Sequence, residues 1–132
     1  MKVLSIKEPF ATLIKKKKKY IETRSWKTNY RGELYIHASI SKITKDVKER
    51  KELMKLVDDD EMEYGNILCE CELVDCIYMT EEYIEYIKNN EYDQYICGHY
   101  EVGRYAWILK NIEPLEIVIP AKGRLGIWNY YE

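Results

Sequence analysis

Phenylalanine occurs once in the 132 residues, glycine six times and proline three times. So little glycine and proline excludes collagenous and low-complexity classes. No apolar run approaches the roughly 20 residues that a membrane helix needs, so no membrane association is expected. The opening Val3-Leu4-Ser5-Ile6 meets a charge at Lys7, too early for a secretory leader, and a cytoplasmic protein is expected. Four cysteines stand at 69, 71, 76 and 97 without the paired C-x2-4-C spacing of a structural zinc site. Cys69 and Cys71 share one face of a strand-like run and read as small buried hydrophobes with free thiols. Two histidines, His37 and His99, have no Ser-His-Asp or His-Cys order around them. Neither a metal nor a cofactor is expected.

What the sequence does have is tyrosine, 13 of them, and charge in unequal halves. Residues 1–51 carry a balance of +10, residues 52–132 a balance of −12. A basic half can attract phosphate while the whole chain stays acidic, with a formal charge of −2. Equally, the halves can interleave and neutralise each other. The length suits one domain spanning residues 1–132.

Along the chain, Val3–Ile6 reads as a strand and Pro9 as the first residue of a helix carrying Phe10, Leu13 and Ile14. The helix runs into five lysines, Lys15 to Lys19. Tyr20–Trp26 has strand composition, and residues 33–39 alternate with Leu34, Ile36 and Ala38 on one face. Residues 44–57 read as one helix, followed by an acidic loop at 58–61. Ile67–Met79 is long for a strand, and its broken alternation at Leu73-Val74 predicts a bulge. Thr80 opens a further helix to Lys88; residues 89–103 are Tyr-rich and irregular. Three apolar segments, 105–112, 115–119 and 125–130, close the chain. Several strands with two or three inserted helices predict an α+β domain with a bent or closed sheet.

Lys19-Tyr20-Ile21-Glu22-Thr23-Arg24 fits most of a G-x-K-x-x-E-x-R signature. Ser25-Trp26, Tyr30-Arg31-Gly32, Ile36-His37-Ala38-Ser39, Tyr105–Leu109 and Lys122-Gly123 through Trp128 follow in order. This ordered set, spanning almost the whole chain, resembles the ASCH domain family. The resemblance implies a PUA-like fold: a small, mostly antiparallel β-barrel with two to three flanking helices. It also implies a groove that binds RNA, another nucleic acid or a nucleotide-like ligand, with the signature residues lining it. Some short bacterial members resemble amidohydrolases acting on N4-acetylcytidine, and a few have been proposed as nucleases. Two positions depart from the pattern. Lys17 stands at the signature glycine, and Glu22 stands where the amidohydrolase branch has a threonine that looks like its nucleophile.

Glu22 and Arg24, two apart in a strand, share a face. They read either as a structural ion pair or, with Lys19, as a phosphate-holding cluster. In a hydrolase, Lys19 and Glu22 would be the catalytic pair, oxyanion stabiliser and general base. Trp26, Lys27, Tyr30 and Arg31 mix rings with cations, as single-stranded RNA recognition does; Trp26 also reads as a core anchor, Tyr30 and Arg31 as turn-fixing residues. The lysine run reads as a solvated helix end or as a phosphate contact. His37 reads as a structural residue, and Trp107 and Trp128 as core.

Overall fold

The computed structural model describes all 132 residues. Six strands form one sheet: β1 (Lys2–Ile6), β2 (Ile21–Arg24), β3 (Gly32–Ala38), β4 (Asn66–Tyr78), β5 (Tyr105–Pro120) and β6 (Ile127–Asn129). Their order is β2-β5-β4-β3-β1-β6; only β1 and β3 pair in parallel, so the sheet is mostly antiparallel. The two longest strands carry the curl. Register shifts at Ile67/Cys69, Glu70/Glu72 and Leu73/Asp75 bend β4 against β5, the last at the expected break. The result is a curled half-barrel, an α+β fold of PUA-like kind. Pro114 does not split the last apolar region as its sequence suggests. It sits in β5 opposite Cys69, between two of these irregularities, where a missing N–H is tolerated.

Helices number five short ones instead of two or three: α1 (Phe10–Lys15), α2 (Lys45–Lys48), α3 (Lys51–Met54), α4 (Glu81–Asn90) and α5 (Tyr92–Ile96). The expected helix over 44–57 is interrupted at Arg50, whose ψ of 87° leaves the helical region. There the guanidinium donates to the carbonyls of Ile96 and Gly98, at 2.6 and 3.2 Å. A tertiary contact has overridden helical periodicity. Thr80 caps α4 as expected, accepting from the Tyr83 amide.

The main core fills the concave side of the sheet. Leu4, Ile6, Leu34, Ile36, Leu68, Trp107 and Leu109 pack there against Ala11 and Ile14 of α1. Cys69 and Cys71 are buried within it, and burial pushes the Cys71 thiol up to about 12. Leu13, Leu53, Val57 and Cys97 make a second cluster that ties α1 to α3 and the end of α5. No helix is long and apolar enough to cross a membrane.

Both ends of α1 are built by charged residues. Pro9 is the N-cap rather than the first helical residue and offers no side-chain acceptor. Glu8 acts in its place: its carboxylate accepts from the Thr12 amide at 2.8 Å and from the Thr12 hydroxyl. Glu8 is 2% exposed, and burial raises its pKa above 4.5 against the lowering effect of those bonds. A carboxyl whose folded pKa is raised contributes stability that is full below its unfolded value and lost as pH rises through the folded value. Glu8→Gln, neutral throughout, should therefore gain stability relative to the parent as pH rises from 4 to 7. Urea unfolding at both pH values reads this directly; a difference that shrank with pH would mean the hydrogen bonds outweigh burial. At the other end, Lys17 takes φ +64°. The Lys17 amide donates to Ile14 and the Lys18 amide to Leu13, the bond pattern of a glycine-terminated helix with a lysine in its place. The left-handed lysine costs on the order of 1 kcal/mol. It turns the chain so that Lys19 enters the interior.

Candidate functional site

Beside the concave face lies a cleft of about 1280 Å3 between the signature strand, the 96–100 segment, α2 and the 122–126 segment. Its floor is β2. Strand alternation sends Glu22 and Arg24 to the same side, as their spacing predicts. Arg24 Nε donates to Glu22 Oε2 at 2.9 Å, and Arg24 Nη2 donates to the Ser5 carbonyl at 2.9 Å. Nη1 is left without a protein partner, and the side chain is 23% exposed. The guanidinium is thus fixed by two contacts and presents a free edge to the cleft.

Lys19 is 1% exposed. Its ammonium donates to the carbonyls of Ile21 and Cys97, each at 2.6 Å, and lies 3.4 Å from Glu22 Oε1. Two donors meet backbone carbonyls, and the carboxylate balances the charge. Burial lowers the Lys19 pKa and Glu22 opposes that shift. Glu22, 6% exposed, sits between two cations and is buried, not solvated, although it lines the cleft.

Trp26 borders the cleft with its ring partly open. It meets Trp107 edge to face at 4.7 Å between ring centres, and its carbonyl accepts from Trp107 Nε1. It is both anchor and rim. Lys27, Tyr30 and Arg31 are not in the cleft wall. The Tyr30 hydroxyl donates to the Glu33 carbonyl, and Arg31 donates to the carbonyls of Thr28 and Tyr30. These two fix the turn before β3. The structure therefore brings Lys19, Glu22, Arg24 and Trp26 together and leaves Lys27, Tyr30 and Arg31 outside.

The lysine run also faces elsewhere. Lys15 pairs with Glu63 and Lys16 with Glu61, both at 2.6 Å, and Lys18 donates to the Leu56 carbonyl. Here the basic and acidic halves interleave. None of Lys15 to Lys18 lines the cleft.

Sequence reasoning missed much of the wall. Tyr92, Tyr95 and Tyr100 line it as a staggered stack, with ring centres 6.1 and 5.5 Å apart and planes within 27°. Tyr92 and Tyr95 are one helical turn apart, but α5 has five residues, too few to show periodicity. Arg50, Arg104, Lys122 and Arg124 complete the cationic lining. In all, seven cations (Lys7, Lys19, Arg24, Arg50, Arg104, Lys122, Arg124) face three carboxylates (Glu22, Asp46, Glu52). His37 is structural as expected, and the reason is visible. Its Nε2 lies 2.7 Å from the Ala121 carbonyl, which can only accept, so Nε2 carries the proton. In the neutral ring Nδ1 then accepts from the Ser5 hydroxyl at 3.0 Å, and Ser5 in turn accepts from Trp128 Nε1. This chain ties the entry to the 122–126 segment onto β1 and β3.

The sequence profile of the ASCH domain matches residues 4–119. The chain belongs to the ASCH domain family. It is 27% identical to human Activating signal cointegrator 1 over 135 residues, covering 95% of this chain and 21% of that protein. The mouse protein of the same name is 26% identical over the same share. The chain thus spans about a fifth of the length of these relatives. Of the ASCH signature, Lys19, Glu22 and Arg24 are present and meet at the cleft floor; the glycine position holds the strained Lys17.

Proposed function

We propose that this ASCH domain binds single-stranded nucleic acid, RNA foremost, in the cleft. The observation that carries the reading is the cationic excess of the cleft wall, seven against three, in a protein whose formal charge is −2. Such a local reversal of sign concentrates polyanions at one place on an otherwise acidic molecule. Arg24, held in place with one edge free, suits a phosphate oxygen. Trp26 and Tyr92, the exposed outer ring of the tyrosine stack, supply ring faces, and bases stack on rings irrespective of sequence. The volume exceeds the roughly 300–1,000 Å3 of small-molecule pockets, which favours a short stretch of chain over a lone nucleotide. Hydrolysis by Lys19 and Glu22 has less support. The Lys19 ammonium is bonded to two backbone carbonyls and paired with Glu22, so the residue suits positioning Glu22 better than stabilising an oxyanion.

Fluorescence anisotropy with a labelled single-stranded RNA of about ten nucleotides tests the reading. Affinity should fall with salt at a log–log slope near −0.7 per phosphate contacted. Arg24→Lys should weaken binding, and Tyr92→Ala should cost about 1–3 kcal/mol per lost stacking contact. Neutralising Lys15 and Lys16 should leave the slope unchanged, because both already face glutamates. Affinity indifferent to salt and to Arg24 would overturn the reading.

A further inference from the structure

The segment Lys122-Gly123-Arg124-Leu125-Gly126 joins β5 to β6 along the cleft. Its amides and carbonyls make no hydrogen bond within the protein. It is nonetheless seated firmly. A Cβ at Gly123 would lie 2.9 Å from both His37 Cε1 and Ser5 Oγ, so the backbone presses directly on the Ser5–His37 pair. Ser5 is also the residue whose carbonyl holds Arg24 Nη2. Arg24 and Gly123 therefore both contact Ser5, which sets the Arg24 guanidinium beside a cleft-lining segment whose amides are unbonded within the protein and which carries Lys122 and Arg124.

We infer that this corner is a subsite for a phosphomonoester, the terminal phosphate of a strand or of a free nucleotide. Successive free amides beside cations form a concavity suited to an anion. A phosphomonoester carries about −1.5 to −2 charges at pH 7, against −1 for an internal diester, and Lys122 and Arg124, neither in an ion pair, together with the free edge of Arg24 match the larger charge. Glu22, the carboxylate bonded to Arg24, is shared with Lys19. The inference rests on the nucleic-acid reading for its biological ligand, but the anion subsite can be tested without RNA.

Two measurements decide it. In an amide NMR titration with inorganic phosphate, the signals of residues 122–126 and the Arg24 Nε–H should shift and saturate together. In parallel, one RNA sequence is compared carrying a 5′-phosphate, a 3′-phosphate or hydroxyls at both ends, alongside the matching mononucleotide. One phosphorylated end should bind about tenfold tighter than the hydroxyl form, and Arg124→Ala should abolish that advantage, weakening the phosphorylated RNA by far more than the hydroxyl RNA, which loses only one cation of the cleft. A mononucleotide that binds as tightly as the phosphorylated RNA would identify a free nucleotide as the source. Equal affinity for all ends, with amides unmoved by phosphate, overturns the subsite and leaves the cleft reading intact. Saturating amide shifts without affinity for any RNA would keep the subsite and overturn the RNA reading.

Discussion

Lys19→Met should destabilise the fold by about 3–5 kcal/mol, the usual cost of removing one partner from a buried charged cluster. The methionine fills similar space, so the loss comes from electrostatics and hydrogen bonding rather than from a cavity. Two carbonyl acceptors are stranded, of Ile21 and Cys97, and Glu22 loses one of its two cations. The two carbonyls lie on segments far apart in sequence, so Lys19 clamps β2 to the end of α5, the two sides of the cleft. The melting temperature should fall by about 10 °C or more. A Lys19→Met/Glu22→Leu double variant should be less damaged than the sum of the two single changes, because it removes the charges together. Strict additivity in denaturant unfolding would mean the two side chains act independently, and a shift below about 1 kcal/mol for Lys19→Met would return Lys19 to the class of weak surface pairs.

The residues of the signature were legible because their geometry is local. A spacing of two in a strand is enough to place Glu22 and Arg24 on one face, and the ion pair follows. The bulge at Leu73 was legible for the same reason: alternation breaks where the register shifts. The role of Lys19 was not, because its acceptor on Cys97 is 78 residues away and nothing near either residue announces the contact. Periodicity likewise gives one helix over 44–57, and only the carbonyls of Ile96 and Gly98 show why Arg50 leaves it. Charge was the least legible feature. The sequence divides it by position along the chain. The fold divides it by facing, pairing Lys15 and Lys16 with glutamates while assembling the cleft from cations as far apart as Lys7 and Arg124. The Tyr-rich stretch gained meaning only once α5 set Tyr92 and Tyr95 in a row and the segment after it added Tyr100.

Gly123→Ala should cost about 1–3 kcal/mol and weaken ligand binding at the same time, which separates it from an ordinary loop substitution. Its added methyl would meet His37 Cε1 and Ser5 Oγ at 2.9 Å, and neither can yield cheaply. The His37 ring is 1% exposed, bonded at both nitrogens and set edge-on against Trp128. Ser5 is held by Trp128 through its hydroxyl and by Arg24 through its carbonyl. The segment must therefore lift away from β1 and β3, carrying Lys122 and Arg124 with it. Gly126 supplies the control. Nothing lies within 4 Å of a Cβ there, yet its φ is +64°, so Gly126→Ala introduces backbone strain of about 1 kcal/mol without a collision. Both variants cost stability, but Gly123→Ala should displace the amide signals along the whole segment and reduce RNA affinity more, whereas Gly126→Ala should move only the signals next to the substitution. Equal affinities for the two variants and the parent would place the segment outside the binding surface, leaving Arg24 and the aromatic wall to hold the ligand alone.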